Sequence, residues 1–287
     1  MSAGHGERRS VMTTAPPATA TSRFMIGADL PVRRLGYGTM QLTGPGHWDL
    51  PRNPDNAIAV LRTAVHELGI NHLDTADAYG PHTVETLIRQ ALHPYPDELV
   101  IATKGGLVRP GPNVWRPCGR PEYLQQCVEL SLRRLGVDCL DLYYLHRIDP
   151  QVPLADQLGV LAELRQAGKI RHLGLSKVTV DQVRQARAIT DIAAVQNQHQ
   201  LTTTDPVLPY CEQLSLAYVA YKPFDSGADL PTSGTDPAAA TKVLQTLLQR
   251  SPAMVVIPGT ASLSHLRTNC TADQSTGVQT ADEKARS

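Results

Sequence analysis

The chain alternates short β-branched or aromatic runs with longer segments of helical period, and this alternation constrains its fold more than any other feature. Eight runs read as strands: Leu35–Thr39, Ile70–Thr75, Leu99–Lys104, Leu140–His146, Ile170–Ser176, Ala193–Asn197, Ala217–Lys222 and Met254–Pro258. Several of these runs are apolar on both faces, which is typical of parallel strands covered by helices. A covered parallel sheet is therefore expected.

The segments between the strands have the spacing of amphipathic helices. Asn56–Leu68 places its apolar residues on one stripe and stops before Gly69, and Pro121–Leu135 begins with proline and stops before Gly136. Further helices are predicted over Asp156–Ala167, Val180–Ile189 and Ala238–Arg250. Repeated strand–helix units predict a (β/α)8 TIM barrel. The alternative, an open doubly wound sheet, would need a GxGxxG turn after the first strand, and the sequence has none there.

The barrel is predicted over residues 24–270. Residues 1–23 are small and polar and are expected to form a disordered tail, and residues 271–287 a mobile one. Phe24–Arg34 contains Gly27-Ala28-Asp29 between two short apolar runs, which predicts a β-hairpin that closes the bottom of the barrel.

Composition excludes several function classes. Lys and Arg total 27 and Asp and Glu total 27, so the chain lacks the positive charge of a general nucleic-acid binder. No apolar run is long enough to span a membrane. The five cysteines are scattered without a CxxC pair, which predicts neither a disulfide framework nor a metal site and favours the cytoplasm. A small-molecule partner is therefore expected, and the chain is expected to be a monomer or weak oligomer.

Four polar residues lie at or just after the ends of three consecutive predicted strands, where a barrel places its active face: Asp74, Tyr79, Lys104 and His146. A tyrosine can protonate a carbonyl oxygen if a neighbouring cation stabilises its phenolate. Lys104 would supply that cation, Asp74 would hold Lys104, and His146 would hydrogen-bond the substrate oxygen. This is the arrangement that carbonyl reduction by hydride needs.

Seven motifs together resemble the aldo-keto reductase superfamily: RLGYGTM at 34–40, LDTADAYG at 73–80, IATKGG at 101–106, DLYYLHR at 141–147, GKIRHLGLS at 168–176, VQNQ at 195–198 and VIPGT at 256–260. Within it, GYGTMQLTGPG at 36–46, AYGPH at 78–82 and IPGTASLSHLRTN at 257–269 are most similar to bacterial pyridoxal-reductase-type members.

The resemblance implies the catalytic tetrad just named and NADPH as cofactor, with NADH as the alternative. It implies a nicotinamide stacked on Tyr221, its carboxamide held by Ser176 and Gln196, and its ribose near Asp74. The other cofactor contacts that it implies are Gly38, Thr39, Met40, Gly259, Thr260, Arg267 and Asn269. Trp48 and Trp115, with Tyr79 and His146, would form the substrate site.

The sequence departs from the family pattern at two lysines. Lys177 stands where the family usually has Asn after the serine, and Lys222 where it usually has a small residue after the stacking tyrosine. The loop Pro223–Thr235 is rich in Pro, Gly and Ser, and the family's apolar C-terminal segment has no counterpart, which predicts a shortened C-terminal region. Three interpretations of the lysines stay open: Lys177 points to solvent and the cofactor still binds, the lysines favour an anionic or phosphorylated ligand, or the dinucleotide site is lost.

Three functions stay open at this point. The first is NADPH-dependent reduction of an aldehyde or ketone, with the proton from Tyr79. The second is a cofactor-independent acid–base enzyme, a dehydratase or isomerase, on the same scaffold. The third is a non-catalytic regulatory subunit, against which the intact tetrad argues.

Overall fold

A computed structural model describes residues 23–224 and 237–274. The predicted N-terminal tail up to residue 22, the predicted loop beyond Phe224 and the C-terminal tail beyond Gln274 lie outside the described residues. Within those two ranges, none of the helices has the length and apolar character that crossing a bilayer requires.

The strands and helices alternate as the sequence predicts. The strands are β1 (Arg23–Ile26), β2 (Leu30–Arg33), β3 (Tyr37–Gly38), β4 (His72–Asp74), β5 (Val100–Gly105), β6 (Leu107–Val108), β7 (Arg116–Pro117), β8 (Leu140–Leu145), β9 (Ile170–Ser176), β10 (Ala194–Gln198), β11 (Ala217–Tyr221) and β12 (Met254–Ile257). The helices are α1 (Pro54–Arg62), α2 (Thr83–Leu92), α3 (Pro121–Leu135), α4 (Leu154–Gln166), α5 (Val180–Arg187), α6 (Val207–Gln213), α7 (Pro237–Gln249) and α8 (Leu263–Gln274). A π-helical turn, Thr63–Glu67, extends α1.

Eight parallel strands pair in the order β3-β4-β5-β8-β9-β10-β11-β12. The first and last strands meet, because the Gly36 N–H donates to the Val256 carbonyl at 2.9 Å and the Val256 N–H donates to the Arg34 carbonyl at 2.8 Å. The sheet thus closes, and a helix follows each of its strands, which confirms the predicted (β/α)8 barrel.

Local sequence signals fix the helix ends. Pro121 starts α3, where its missing N–H costs nothing, and Gly136 ends it with φ of 71°. Thr179 and Gln182 form a reciprocal capping box at the start of α5. Helices α2, α6 and α8 were not among the predicted helices, whereas the eight predicted strands all form.

The barrel interior is filled from below by the N-terminal hairpin. β1 and β2 pair antiparallel around a turn at residues 27–29, as predicted. Ile26, Leu30 and Val32 are buried with the inward-facing side chains of the barrel, among them Leu142 and Tyr144. The lower half of the barrel is therefore packed with apolar side chains, and only the opposite end, where the strands finish, is open for a site.

The last helix extends past residue 270, where the sequence analysis ended the barrel. Helix α8 continues to Gln274, and Asp273 within it is 2% exposed. The Arg33 guanidinium donates to Asp273 Oδ2 from Nε at 3.0 Å and from Nη2 at 2.9 Å, and from Nη1 to the Leu68 and Gly69 carbonyls. One buried ion pair thus joins the hairpin to α1 and α8. No local pattern predicts this pairing, because its partners are 240 residues apart.

We expect Asp273→Ala to lower the free energy of unfolding by about 3–5 kcal/mol, because it leaves the Arg33 guanidinium buried without its counter-ion. The matched control is Asp181→Ala, which removes an ion pair to Arg184 whose side chains are 78% and 63% exposed and should cost less than about 1 kcal/mol. Urea denaturation followed by circular dichroism measures both. Equal losses in the two variants would contradict the structural role of Asp273.

Candidate active site

A cavity of about 670 Å³ opens at the carboxyl ends of the barrel strands. It is lined by Gly38, Met40, Gln41, His47, Asp74, Tyr79, Asn113, Trp115, His146, Arg147, Ser176, Lys177, Gln196, Tyr221, Lys222, Pro223, Phe224, Ile257 and Gly259. Three of the four predicted catalytic residues line it directly, and the fourth, Lys104, is fully buried just behind its floor.

A buried ion pair forms the floor of this cavity. Lys104 Nζ donates to Asp74 Oδ1 at 2.6 Å and to the Thr75 carbonyl at 2.8 Å, and the two charged side chains are 1% and 3% exposed. The same Lys104 nitrogen lies 3.3 Å from the Tyr79 hydroxyl. Asp74, Lys104 and Tyr79 therefore form one continuous chain of contacts, as the sequence predicts.

Two further side chains hold Asp74. Gln196 on β10 donates from Nε2 to Asp74 Oδ2 at 2.6 Å, so each carboxylate oxygen has its own donor. Thr39, next to β3, donates its hydroxyl to the Asp74 carbonyl at 2.9 Å. Strands from both sides of the barrel thus fix the position of the carboxylate and, through it, of Lys104.

The sequence predicts that Lys104 makes the Tyr79 hydroxyl more acidic, but the pKa of Tyr79 is raised in the structure. Burial, together with the charges of Asp74 and Asp77, raises the pKa of Tyr79 well above its usual value of 10. Burial also lowers the pKa of Lys104, against the opposing pull of Asp74. The positive charge of Lys104 is balanced mainly by the carboxylate at 2.6 Å, so the tyrosine is a neutral phenol at neutral pH.

His146 follows β8 and faces Tyr79. The two ring centroids are 6.1 Å apart, and the rings meet edge to face. Burial and the neighbouring charges of Lys104 and Arg147 hold the pKa of His146 well below its usual range. The imidazole is therefore neutral at neutral pH, and it offers one N–H donor and one acceptor to whatever enters the cavity.

One wall of the cavity is built around Arg109, a residue that the sequence analysis missed. Its guanidinium lies 3.5 Å from the centroid of the Trp115 ring and 5.6 Å from that of Trp48. It donates to the carbonyls of Ala78, Gly46 and Val114 at 2.5, 3.1 and 2.9 Å. This single side chain joins three loops and fixes the Trp115 ring, whose centroid lies 6.4 Å from those of Tyr79 and His146.

The two tryptophans predicted for the substrate site lie in different places, and the substrate role of Trp48 stays a prediction. Trp115 lines the main cavity, but Trp48 lies in a neighbouring pocket on the far side of Arg109, together with Pro81 and Tyr123. Sequence reasoning could not separate the two tryptophans, because both occur in loops.

Comparison with known proteins identifies the family. A model of the Aldo/keto reductase family matches residues 34–242. An uncharacterised oxidoreductase of Schizosaccharomyces pombe is 43% identical over 285 residues, which cover 96% of this chain and 91% of that protein. Pyridoxine 4-dehydrogenase of Escherichia coli is 41% identical over 270 residues, which cover 89% of this chain and 94% of that enzyme. The chain belongs to the aldo/keto reductase family.

Solved structures share the fold of this aldo/keto reductase. Glycerol dehydrogenase from Gluconobacter oxydans superposes with a TM-score of 0.76 at 24% identity, over 93% of each chain. An aldo-keto reductase from Klebsiella pneumoniae in complex with NADPH superposes with a TM-score of 0.72 at 24% identity, also over 93% of each chain. The family membership and the oxidoreductase class predicted from the motifs are confirmed, as is the resemblance to pyridoxal-reductase-type members.

The structure brings most of the predicted cofactor residues of this aldo/keto reductase into the cavity. Those that line it are Gly38, Met40, Asp74, Ser176, Gln196, Tyr221 and Gly259. Gly38 and Gly259 are also required by the backbone, since a Cβ on Gly38 would lie 2.9 Å from the Ile257 carbonyl and one on Gly259 would lie 2.9 Å from the Gly38 carbonyl. Their lack of a side chain therefore follows from closure of the barrel and is no evidence of cofactor binding.

Four of the predicted cofactor residues do not line the cavity. Thr39 and Thr260 are buried, and the Thr260 carbonyl accepts from the Tyr37 hydroxyl at 2.6 Å. Arg267 is half-exposed and pairs with Glu67 at 2.6 Å, and Asn269 is buried on α8. Their cofactor role stays a prediction.

The cavity also contains residues that the sequence analysis did not single out as ligand contacts. These are Gln41, His47, Asn113, Arg147, Pro223, Phe224 and Ile257. Most of them belong to loops, where no periodicity marks the side that faces a ligand. Arg147 had a usable signal, because it follows the predicted catalytic His146 directly at a strand end.

Asp77 is a buried carboxyl close to Tyr79 and Lys104. Asp77 is 1% exposed, and no described residue forms an ion pair with it. Burial and the charge of the nearby Glu85 raise its pKa to about 7. Glu85, by contrast, is paired with Arg134 at 2.6 Å and accepts from the Thr103 hydroxyl at 2.6 Å.

Asp77 should therefore make the fold more stable in mild acid. Its pKa of about 7 in the folded state lies above the unfolded value of 3.8, so the folded state holds a proton that the unfolded state releases between those two pH values. The contribution of Asp77 to the free energy of unfolding therefore falls as pH rises from about 4 to 7.

Relative to Asp77→Asn, the native chain should lose about 3 kcal/mol of unfolding free energy between pH 5 and pH 8. Urea denaturation at the two pH values measures this, with Asp181→Asn as the exposed control. An identical pH dependence in all three proteins would contradict the assignment.

Arg109→Lys should loosen the cavity wall. Lysine keeps the charge, but its compact ammonium cannot span the three carbonyls that the separate guanidinium nitrogens reach, nor can it stack flat on Trp115. We expect the unfolding free energy to fall by about 1–3 kcal/mol and the tryptophan emission to shift to the red, since both tryptophans of the chain lie beside Arg109. Arg89→Lys, which changes an arginine far from both rings, is the control and should leave the emission unchanged. Identical emission spectra for both variants and the native protein would contradict the role of Arg109.

Proposed function

We propose that this aldo/keto reductase reduces an aldehyde or ketone to the alcohol, with NADPH as hydride donor, NADH as the alternative, and Tyr79 as proton donor. One observation carries the proposal: the Tyr79 hydroxyl lies 3.3 Å from Lys104 Nζ, which is bonded to Asp74 at 2.6 Å, and this chain of contacts ends inside a cavity. A phenol backed by a buried cation is suited to protonating an oxygen that becomes negative during the reaction.

The residues around the cavity fit a nicotinamide. Ser176 and Tyr221 are the last residues of β9 and β11, and Gln196 lies within β10 between them. They provide a hydroxyl, an aromatic ring and an amide. These are the groups that would hold a flat ring carrying a carboxamide. When bound, the cofactor supplies the hydride.

The catalytic residues would then act in sequence on the substrate oxygen. The neutral His146 donates a hydrogen bond that positions and polarises the carbonyl. Tyr79, which its raised pKa keeps protonated, gives its proton to that oxygen as negative charge develops there. Lys104 stabilises the phenolate that remains, and Asp74 keeps the ammonium within reach.

The relatives suggest where to begin the assays. The Escherichia coli relative is named for the oxidation of pyridoxine, and the Klebsiella pneumoniae structure holds NADPH. The pair of pyridoxal and pyridoxine, with NADPH as cofactor, is therefore the first substrate pair to test, before a wider panel of aldehydes and ketones.

Tyr79→Phe should lower kcat by about 10²- to 10⁴-fold, because it removes the proton donor and leaves the shape of the cavity intact. The dissociation constant for NADPH, followed by quenching of tryptophan fluorescence, should change less than about twofold, since the phenol is not among the predicted cofactor contacts. Tyr143→Phe is the matched control, because Tyr143 is buried and its hydroxyl has no partner among the described residues. A Tyr79→Phe variant that keeps most of its kcat would contradict the role of Tyr79.

The cofactor-independent alternative has one observation in its favour. Lys177 and Lys222 both line the cavity beside Tyr221, where the family usually has uncharged residues. That alternative requires product formation without NADPH and no change in nicotinamide absorbance. Micromolar binding of NADPH to the native protein would exclude loss of the dinucleotide site.

A further inference from the structure

The wall of the cavity carries three cations without a counter-ion. Arg147, Lys177 and Lys222 line it, and none of them forms an ion pair with any residue in the described ranges. Among the described residues that line the cavity, Asp74 is the only carboxylate, and its charge is already balanced by Lys104 at 2.6 Å. The part of the cavity that the structure describes is therefore strongly positive.

These cations lie on one side of the cavity. Arg147 directly follows His146, and Lys177 and Lys222 directly follow β9 and β11. Lys177 Nζ is 5.8 Å from the centroid of the Tyr221 ring. Arg147 and Lys177 are both close enough to His146 to lower its pKa, and Arg147 and Lys222 lower that of Lys177. Gly38, Met40 and Gly259, which also line the cavity, carry no charge.

The backbone holds the two lysines in an unusual conformation. Lys177 has φ of 58° and Lys222 has φ of 49°, in the left-handed region that lysine rarely adopts. Backbone strain of this kind persists where the surrounding structure enforces it and is frequent at ligand sites. Both lysines are exposed at the mouth of the cavity, whereas Arg147 is half-buried and its Nε is buried without an acceptor among the described residues. An anion at this point would supply that acceptor.

We propose that Arg147, Lys177 and Lys222, the cation cluster, bind an anionic oxygen group of the substrate, so that the enzyme prefers carbonyl compounds bearing a carboxylate or a phosphate. This inference rests on the proposed carbonyl reduction. The substrate side is the favoured position because Arg147 and Lys177 act on His146, the residue assigned to the carbonyl oxygen. Carboxylate and phosphate share the chemistry that such a cluster recognises.

Matched substrate pairs test the preference. The carboxylate pair is 4-carboxybenzaldehyde and its uncharged methyl ester, and the phosphate pair is glyceraldehyde 3-phosphate and glyceraldehyde. We expect the native enzyme to give at least a tenfold higher kcat/KM for one charged member than for its neutral partner, mainly through KM. Because both lysines are exposed, this preference should weaken as sodium chloride is raised. The pair with the larger ratio identifies which anion the cluster prefers.

Variants then assign the preference to the cluster. The double variant Lys177→Met/Lys222→Met should lose most of the ratio between charged and neutral substrates. Lys242→Met, which removes an exposed lysine on α7 away from the cavity, should leave the ratio and kcat unchanged. Equal kcat/KM within both pairs in the native enzyme, or an unchanged ratio in the double variant, would overturn the proposal.

Two further measurements separate this inference from its alternatives. If the double variant weakens NADPH binding and leaves the substrate ratio unchanged, the cluster serves the cofactor phosphates and the proposal is wrong. If no carbonyl compound is turned over, the proposed function fails, but calorimetric binding of 4-carboxybenzaldehyde against its methyl ester still reports on the cluster. Tighter binding of the charged aldehyde that disappears in the double variant would support the anion site, and equal binding would overturn it.

Discussion

The ion pair between Lys104 and Asp74 is the interaction on which the candidate site depends. Neither side chain is more than 3% exposed, so their mutual attraction must offset a large desolvation cost. The surrounding donors make that possible, because Gln196 bonds the second carboxylate oxygen and the Thr75 carbonyl accepts from the ammonium. The same contacts leave the ammonium at one fixed point beside the Tyr79 hydroxyl. A group that is costly to bury thus becomes a precisely positioned partner for a proton donor.

The net charge of the cavity follows from this ion pair, because the charges of Lys104 and Asp74 cancel each other. Since the Asp74 carboxylate is neutralised within its own pair, it does not offset the positive charges of Arg147, Lys177 and Lys222 on the wall above. The desolvation that keeps Tyr79 protonated and His146 uncharged therefore coexists with a positive rim. The uncharged Tyr79 and His146 at the floor and the cations at the mouth can contact two different parts of one ligand.

Much of the fold and of the candidate site could be predicted from the sequence, because both depend on short-range patterns. Alternating apolar runs fixed all eight barrel strands, and the placement of Asp74, Lys104 and His146 at their ends predicted that these residues would meet. The missed features depend on contacts between distant segments. Arg109 acquires its role only when three loops converge on its guanidinium, and the ion pair of Arg33 with Asp273 spans almost the whole chain. The raised pKa of Tyr79 was also missed, because it reflects how deeply the residue is buried.

The sequence by itself determined the barrel, the hairpin beneath it, the family and the four residues of the predicted catalytic tetrad, since periodicity and strand-end position are properties of neighbouring residues. Only the tertiary structure decided that Trp115 and not Trp48 faces the cavity, that helix α8 continues to Gln274, and that the lysines after β9 and β11 share one wall with Arg147. These outcomes depend on how loops fold over the barrel mouth and on which charges are desolvated there. Both are set by packing between residues far apart in the chain, which no local pattern records.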